Sequence, residues 1–291
     1  MERSERFDVV VLGAGAAGMA AAAVASTEGL NVCLLEKAEQ VGGTTAWSGG
    51  MVWAPFSKAA QNEAWFRDTA ADVERYLERV VPGSGEDPRM KRFLRAAPTA
   101  LDYFHTCTHV KFRPLLEYPD YYQDVAGSTL SGRVLEPEPF DSCFLGQNLD
   151  RLRLPLPEFA LFSDMMIARE DIPNFQNAFR SGRSFGRVAR ILARYAYQKI
   201  RWGRGTSLVL GNALAARLYA SVLEAGVTVK TGQQVQRLRR NPRGRVDGVE
   251  LCGGGTIVAE YGVVLATGGF TNDPAMRERW LPASMGNYSA T

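Results

Sequence analysis

Two glycine-rich stretches near the N-terminus combine residue types and spacing that suit the binding of phosphate groups. The first is the hexapeptide Gly13-Ala14-Gly15-Ala16-Ala17-Gly18, which has the pattern Gly-x-Gly-x-x-Gly. Glycines let a diphosphate approach the backbone closely, and the N–H groups that begin a helix attract its negative charge. Glu36 follows 18 residues after Gly18, where an acidic side chain can accept hydrogen bonds from a ribose. Together these residues predict a dinucleotide-binding site.

The second stretch is "VGGTTAWSGG", residues 41–50. It contains two glycine pairs and three hydroxyl side chains, namely Gly42, Gly43, Gly49, Gly50, Thr44, Thr45 and Ser48. FAD is a longer dinucleotide than NAD, and its ribitol and flavin need close backbone and hydroxyl groups along their length. We therefore predict FAD, bound by this stretch and by the preceding Lys37 and Ala38. The alternative is a flexible surface loop, which Val41 and Trp47 disfavour because such residues are usually buried.

The segments around these motifs are predicted to form a strand, a helix and a second strand. "FDVVVLG" at 7–13 and "NVCLLEK" at 31–37 are continuous apolar runs, typical of strands buried on both faces. The intervening segment 16–29 is rich in alanine, the best helix former, and ends at a glycine. A strand–helix–strand unit of this kind implies a parallel sheet with a right-handed crossover.

The remainder of the chain is predicted to form an insertion followed by a return to the sheet. Residues 51–204 hold 11 of the 14 prolines, and we expect short helices near 61–80 and 89–106 and irregular structure over 111–160. A helix is expected over 207–226. It is followed by three antiparallel strands, "QVQRLRR", "RVDGVEL" and "TIVAE", and by a separate buried strand, "GVVLATGG". The expected fold class is α/β. It consists of a Rossmann-like domain with a parallel sheet, a three-stranded antiparallel element and a mostly helical and loop insertion.

Composition excludes several classes of protein. The 34 basic and 31 acidic residues leave a net charge of only +3, and apolar residues make up 46 % of the chain. This balance does not favour a nucleic-acid partner or global disorder. The four cysteines form no Cys-x-x-Cys pair, so a disulfide framework is not expected and the cytoplasm is the expected location.

Three segments resemble the flavoprotein group that includes fumarate reductases, succinate dehydrogenases and 3-ketosteroid dehydrogenases. They are "VVVLGAGAAGMAAAA", "LLEKAEQVGGTTAWSGG" and "VVLATGGF". The resemblance implies FAD as the cofactor, with the late "LATGG" segment returning to it at Ala266 and Gly268. It also implies that Val235 lies beside the adenine.

A fourth segment, residues 115–141, resembles 3-ketosteroid Δ1-dehydrogenases in its "PDYY" followed by Gly-Arg and Glu-Pro. The resemblance implies that Tyr121 lies over a substrate cavity beside the flavin. The implied reaction is 1,2-desaturation of a 3-ketosteroid, with hydride passing to flavin N5 and a proton to a tyrosine base. The partners would be a small lipophilic, steroid-like substrate and an electron acceptor of unknown identity. The alternative is that Tyr121 packs in the insertion with its hydroxyl bonded to the backbone. Tyr118 and Tyr122 are expected to be packing residues.

The chain also departs from that family, whose members are considerably longer. After "GGF" they continue into a cap domain, which together with the returning FAD domain supplies the other catalytic groups. We therefore expect an FAD-binding domain over 1–272, with the insertion at about 51–204. Residues 273–291 are expected to begin a largely missing cap domain, and this chain alone is expected to be inactive. Two alternatives stay open: a fumarate reductase-like or other enoate reductase, and a non-catalytic flavin-binding fragment.

Two further patterns could indicate function. His105, Cys107 and His109 have partly metal-like spacing, but Cys107 lies off the face that two histidines at i and i+4 would share. No metal is predicted. Residues 180–204 carry eight basic and no acidic side chains, so the helix at 183–201 could contact the inner face of a membrane. The alternative, which we prefer, is a solvated face on a packed helix.

Overall fold

The structure is a computed structural model that describes residues 5–271 and 273–282. Internal contacts divide the chain into two units. The first unit combines the described residues up to Ser48 with those from Phe140 onward, and the second is Gly49–Pro139. The limits predicted above, with an insertion over about 51–204 and a second domain from 273, remain predictions. Residues 283–291 of that second domain lie outside the described residues.

The described part of the chain contains strands, α-helices and short 3₁₀ helices. The strands are β1 (Glu5–Leu12), β2 (Val32–Leu35), β3 (Val52–Trp53), β4 (Phe112–Pro114), β5 (Val134–Pro137), β6 (Phe140–Asp141), β7 (Ser207–Leu208), β8 (Thr228–Lys230), β9 (Val235–Arg240), β10 (Val246–Leu251) and β11 (Thr256–Leu265). The helices are α1 (Ala16–Thr27), α2 (Lys58–Gln61), α3 (Ala70–Val80), α4 (Pro88–Cys107), α5 (Ile172–Gln176), α6 (Gly182–Trp202), α7 (Leu210–Glu224) and α8 (Pro274–Trp280). Short 3₁₀ helices cover Gly43–Trp47, Ser142–Arg151, Pro157–Phe159 and Arg169–Asp171.

A six-stranded sheet forms the centre of the first unit, in the order β8-β2-β1-β11-β10-β9. β8, β2, β1 and β11 run parallel, whereas β10 and β9 continue the sheet in antiparallel pairing. All four residues of β2 are buried, as expected for a strand covered on both faces. The predicted α/β class, with its parallel sheet and antiparallel element, is confirmed.

The last strand of that sheet differs from its prediction. "TIVAE" and "GVVL" were expected in two strands, but they form one ten-residue strand, β11, which ends at Leu265. β11 pairs in parallel with β1 along its length, and only its first half pairs with β10. Its second half is not buried as predicted, because Val264 and Leu265 are 37 % and 62 % exposed. A strand whose neighbours change midway has no single alternation pattern, so its sequence resembles two strands.

Helix α7 is buried on all sides against the elements around this sheet. Every residue from Gly211 to Val222 is buried. α7 contacts α1 and the 3₁₀ helix Gly43–Trp47. Small residues such as Ala213, Ala215 and Ala216 allow these close approaches, because small side chains let neighbouring elements pack close to the helix.

The second unit contains a small antiparallel sheet and the helices α2, α3 and α4. Its strands are ordered β3-β5-β4, and α3 packs through Val73, Tyr76 and Leu77. The segment 111–160 was predicted to be irregular, which is wrong for β4, β5 and β6. Strands of two to four residues are too short to show the alternation by which a strand is recognised in sequence. The helix predicted at 89–106 is present as α4, and α3 begins at Ala70, where the Thr69 hydroxyl accepts from Asp72 N.

Candidate functional site

The hexapeptide Gly13–Gly18 forms the turn between β1 and α1, and two of its glycines are required by the protein itself. Gly13 has a φ of +98°, and a Cβ there would lie 2.4 Å from the Ala266 carbonyl oxygen. A Cβ at Gly18 would lie 1.8 Å from the carbonyl oxygen of Gly13. Both distances are far below van der Waals contact, so any side chain at either position would force the turn and the helix apart.

Gly15 is different, because nothing in the described protein occupies the space beside it. The nearest atom to a Cβ at this position would be the Thr45 Oγ1, 3.9 Å away. Gly15 is the residue that precedes the twelve-residue helix α1, so the open space lies at the positive end of the helix dipole. Packing in the described protein gives no reason for a glycine here, and the open space leaves room for a ligand. The space therefore fits the diphosphate of a dinucleotide.

The Glu36 side chain joins this turn to the end of β2. Its Oε2 accepts a hydrogen bond of 2.7 Å from Ala14 N, and its Oε1 accepts one of 3.0 Å from Ala38 N. Glu36 is 9 % exposed. Each carboxylate oxygen has more than one acceptor position, so the same side chain can still accept from ribose hydroxyls as predicted. Its contact with Ala14 was not foreseen, and this contact orients the turn between β1 and α1.

The second glycine-rich stretch packs directly onto the first. Gly42 N donates to Ala14 O at 2.8 Å, and Ala16 N donates to Thr45 Oγ1 at 3.0 Å. A Cβ at Gly43 would lie 3.2 Å from the Cα of Gly15. The close approach at the first glycine pair is therefore to the turn between β1 and α1, and Thr45 satisfies one of the free N–H groups at the start of α1.

The other predicted cofactor residues fall into three groups. Ala17, Lys37 and Thr44 are exposed. The Ser48 hydroxyl donates to Thr45 O at 2.9 Å. Gly49 and Gly50 belong to the second unit.

The predicted cofactor residues that follow β11 include Ala266, which lies at the turn between β1 and α1. Ala266 N donates to Leu12 O at 2.9 Å, which places Ala266 beside Gly13. Gly268 has a φ of +82°, and a Cβ there would have no neighbour within 4 Å among the described residues. Gln233 N donates to Glu36 O at 2.8 Å, so the segment leading to Val235 lies next to Glu36.

Gly211 is a residue of this site that the sequence did not reveal. A Cβ there would lie 2.0 Å from the Thr45 carbonyl oxygen, and Gly211 N donates to Ser48 O at 2.9 Å. Next to it, the buried Asn212 Nδ2 donates to Arg153 O at 2.8 Å. α7 thus holds the Thr45–Ser48 segment in place. The only signal in the sequence was an isolated glycine within a helical pattern, which marks close packing without naming the partner.

The second unit contains a cavity of about 180 Å³ at the segment "PDYY". Aromatic side chains dominate its lining, which includes Trp53, Tyr76, Tyr118 and Tyr121. Tyr121 is 91 % exposed, whereas burial raises the pKa of Tyr76, an effect to which the nearby Asp120 adds. The structure therefore places an accessible phenol at an aromatic cavity. The role of Tyr121 remains a prediction.

Comparisons with known proteins show which family the chain belongs to. The chain matches the FAD binding domain family over residues 8–290. It is 34 % identical over 278 residues to a 4-oxocyclohex-2-ene-1-carboxylate 5-dehydrogenase of Sinomonas cyclohexanicum, a match that covers 94 % of this chain and 46 % of the relative. It is 31 % identical over 288 residues to a 3-oxosteroid 1-dehydrogenase of Mycolicibacterium smegmatis, a match that covers 96 % of this chain and 49 % of the relative.

A solved structure shows the same fold over almost the whole chain. It is the 3-ketosteroid delta1-dehydrogenase of Sterolibacterium denitrificans in complex with 1,4-androstadiene-3,17-dione, with 32 % identity and a TM-score of 0.81. The match covers 96 % of this chain and 51 % of that protein. The chain thus spans about half the length of the relatives it matches. With a family match over nearly its full length, the chain belongs to the FAD binding domain family, and its cofactor is FAD.

Proposed function

We propose that this chain is the FAD-binding part of a dehydrogenase that desaturates a 3-ketosteroid beside its carbonyl group. The observation that carries the proposal is the accessible Tyr121 at an aromatic cavity, in a chain similar to proteins named for this reaction. The cavity lining is apolar or aromatic apart from Asp120, which suits a lipophilic substrate.

In this proposal the first unit holds the cofactor. Gly15 and the first turn of α1 bind the diphosphate, and Glu36 accepts from the ribose. FAD supplies the acceptor for the electron pair that leaves the substrate. The turn is already held by Glu36, Gly42 and Thr45, so little ordering of the backbone has to accompany cofactor binding.

The second unit supplies a proton-transfer group in this proposal. Desaturation removes a proton from one carbon next to the ketone and a hydrogen with its electron pair from the neighbouring carbon. A phenol can donate, accept or relay a proton. The exposed position of Tyr121 lets a substrate reach its hydroxyl. The remaining groups for the carbonyl oxygen would come from the part of the relatives that this chain does not match.

The alternative enzymes differ from this proposal in the charge of the substrate that they bind. A fumarate reductase-like enzyme, or a dehydrogenase of 4-oxocyclohexane carboxylates, must bind a carboxylate. Among the described residues that line the cavity there is no Lys, Arg or His, and the carboxylate of Asp120 is buried against Arg133. A substrate carboxylate would therefore meet no cationic side chain among these residues, which favours a neutral ketone. A non-catalytic flavin-binding fragment would show no turnover of any ketone.

A substrate comparison tests the proposal. A full-length version loaded with FAD should reduce an artificial electron acceptor when given a 3-ketosteroid. We expect kcat/KM for the steroid to exceed that for 4-oxocyclohexanecarboxylate by about 10-fold or more, because burying the acid without a cationic partner costs a kcal/mol or more. Spectrophotometry of the acceptor measures both rates. A preference for the carboxylate would overturn the steroid assignment, and turnover of neither would favour the non-catalytic fragment.

We further propose that α6 contacts an anionic membrane surface. Its exposed side includes apolar residues, with Ile200 88 % exposed and Phe185, Leu192 and Tyr197 also exposed. Arg187, Arg194 and Lys199 form ion pairs with Asp171, Asp141 and Asp164, whereas Arg183 and Arg190 form none within the described part of the chain. Apolar side chains beside unpaired arginines are typical of helices that lie in a lipid interface. No helix in the described residues is long and apolar enough to span a bilayer.

Vesicle binding tests this surface. The protein should co-sediment with phosphatidylserine-containing vesicles at low salt, and less so as salt screens the arginines. Ile200→Ser should weaken binding by about 5- to 10-fold because an apolar side chain no longer enters the interface. Leu130→Ser, a similarly exposed apolar residue of the second unit, is the control and should leave binding unchanged. Equal vesicle binding by both variants, or no binding by the parent protein, would show that the exposed face of α6 is only solvated and does not contact a membrane.

A further inference from the structure

Asp120, the residue before Tyr121, has both carboxylate oxygens engaged by partners that are far apart in the sequence. Oδ1 accepts from Trp53 Nε1 at 2.8 Å. Oδ2 accepts from Arg133 Nη1 at 2.8 Å and from Thr129 N at 3.1 Å. The side chain is buried. Asp120 thereby joins β3, the residue that precedes β5 and the loop that carries Tyr121, all within the second unit.

The backbone of Asp120 is bonded as completely as its side chain. Asp120 N donates to Thr129 O at 3.0 Å, and Asp120 O accepts from Gln123 Nε2 at 2.6 Å. The loop is thus closed between residues 120 and 129 by bonds in both directions. The next residue, Tyr121, is nevertheless 91 % exposed. A fully accessible side chain therefore projects from a fixed backbone position.

Arg133, which donates to Asp120, is itself held by further contacts. Its guanidinium makes a two-point contact with Asp68, at 2.8 and 2.7 Å, and donates to Gly127 O at 2.8 Å. It also lies 5.4 Å from the centre of the Tyr76 ring. Burial acts to lower the pKa of Arg133, but Asp68 and Asp120 raise it above its ordinary value, so the side chain stays charged.

A buried cluster of one arginine and two carboxylates is a poor means of increasing stability. Removing charges from water costs several kcal/mol per ion, and apolar replacements are often as stable. What such a cluster does provide is a fixed orientation of its carboxylate side chains, because a guanidinium bonds carboxylates in a planar geometry. Here Arg133 fixes the orientation of Asp120. Asp120 in turn fixes Trp53, by a hydrogen bond, and Tyr121, the next residue, and both of these line the cavity.

We propose that Asp120 and Arg133 are positioning residues that hold Tyr121 and Trp53 in the wall of the substrate cavity. This inference rests on the proposed function of Tyr121. It adds that the reactivity of this tyrosine depends on a buried ion cluster that does not itself touch the reacting atoms. Small misplacements of a reacting group can cost about 10²-fold in rate, so loss of the cluster should appear in kcat.

A double-mutant cycle tests the inference in the full-length holoenzyme. Asp120→Asn should lower kcat by roughly 10-fold or more, with a smaller change in KM. When Asp120→Asn is added to Tyr121→Phe, kcat should fall by less than about 3-fold relative to Tyr121→Phe alone. The effects of two residues that act through one group are not additive. Arg133→Lys keeps the charge without the two-point contact. Its kcat should lie between that of the parent protein and that of Arg133→Met. FAD content and thermal midpoint are measured for each variant.

Arg113→Gln is the matched control, because Arg113 also pairs with a buried acid, Glu136, in the same small sheet. It should leave kcat unchanged. If Asp120→Asn lowers kcat by the same factor with and without Tyr121→Phe, the positioning role is wrong. The proposed function fails separately, if Tyr121→Phe alone keeps full turnover.

Hydrogen exchange gives a readout that does not depend on turnover. The Thr129 amide donates to Asp120 Oδ2, so Asp120→Ala should speed its exchange by about 10-fold, the equivalent of one lost hydrogen bond. Amides of β10 should exchange as in the parent protein. Unchanged exchange at Thr129 would show that Asp120 does not hold the loop, and would overturn the inference even in an inactive preparation.

Discussion

Tyr121→Phe in a full-length version should keep its FAD and its fold but lose about 10²-fold or more in kcat, the usual contribution of a positioned proton-transfer group. The tyrosine is 91 % exposed, so removal of its hydroxyl should change the free energy of unfolding by less than about 1 kcal/mol. Because the hydroxyl is proposed to act in proton transfer, kcat should fall more than KM rises.

Steady-state kinetics with a 3-ketosteroid and an artificial acceptor measure this effect. Tyr122→Phe is the control, since Tyr122 is the neighbouring tyrosine and is 54 % exposed. It should change kcat by less than about 2-fold, as expected for a residue outside the reaction. An unchanged kcat in Tyr121→Phe would show that the tyrosine is not part of the chemistry.

Gly15→Val should abolish FAD binding while leaving the protein folded. A Cβ at Gly15 would have no neighbour closer than 3.9 Å among the described residues, so the fold tolerates it. The added methyl groups would instead fill the space that the diphosphate needs at the start of α1. Purified protein should therefore lack flavin absorbance but retain its circular dichroism spectrum and a thermal midpoint close to that of the apoprotein.

Gly18→Val should fail in a different way. Its Cβ would lie 1.8 Å from the Gly13 carbonyl oxygen, so the turn must distort and the free energy of unfolding should fall by several kcal/mol. Gly186→Val, in α6, is the control and should affect neither property strongly, because beyond its chain neighbours and the nearby backbone of α6 no described atom lies within 4 Å of its added Cβ. Normal FAD occupancy in Gly15→Val would overturn the assignment of this turn to the diphosphate.

The class of fold and the cofactor could be predicted from the sequence alone. Gly13, Gly15 and Gly18 are neighbours along the chain. Gly13 has a positive φ and Gly18 lies against the Gly13 carbonyl oxygen, so these two glycines have a local reason. The buried strands β1 and β2 are continuous apolar runs, so they too can be recognised without knowing their partners. The resemblance of these segments to FAD-binding proteins is confirmed by the family match over residues 8–290.

The tertiary structure decided how the same residues support one another. Thr45 caps α1 across 29 residues, and Arg133 reaches Asp68 across 65. Gly211 is required by a carbonyl group of residue 45. β11 is one strand because it has β1 along one side and β10 along part of the other. Each of these depends on contacts between segments distant in sequence, and a local pattern records that a residue is small, charged or apolar but not which group it meets.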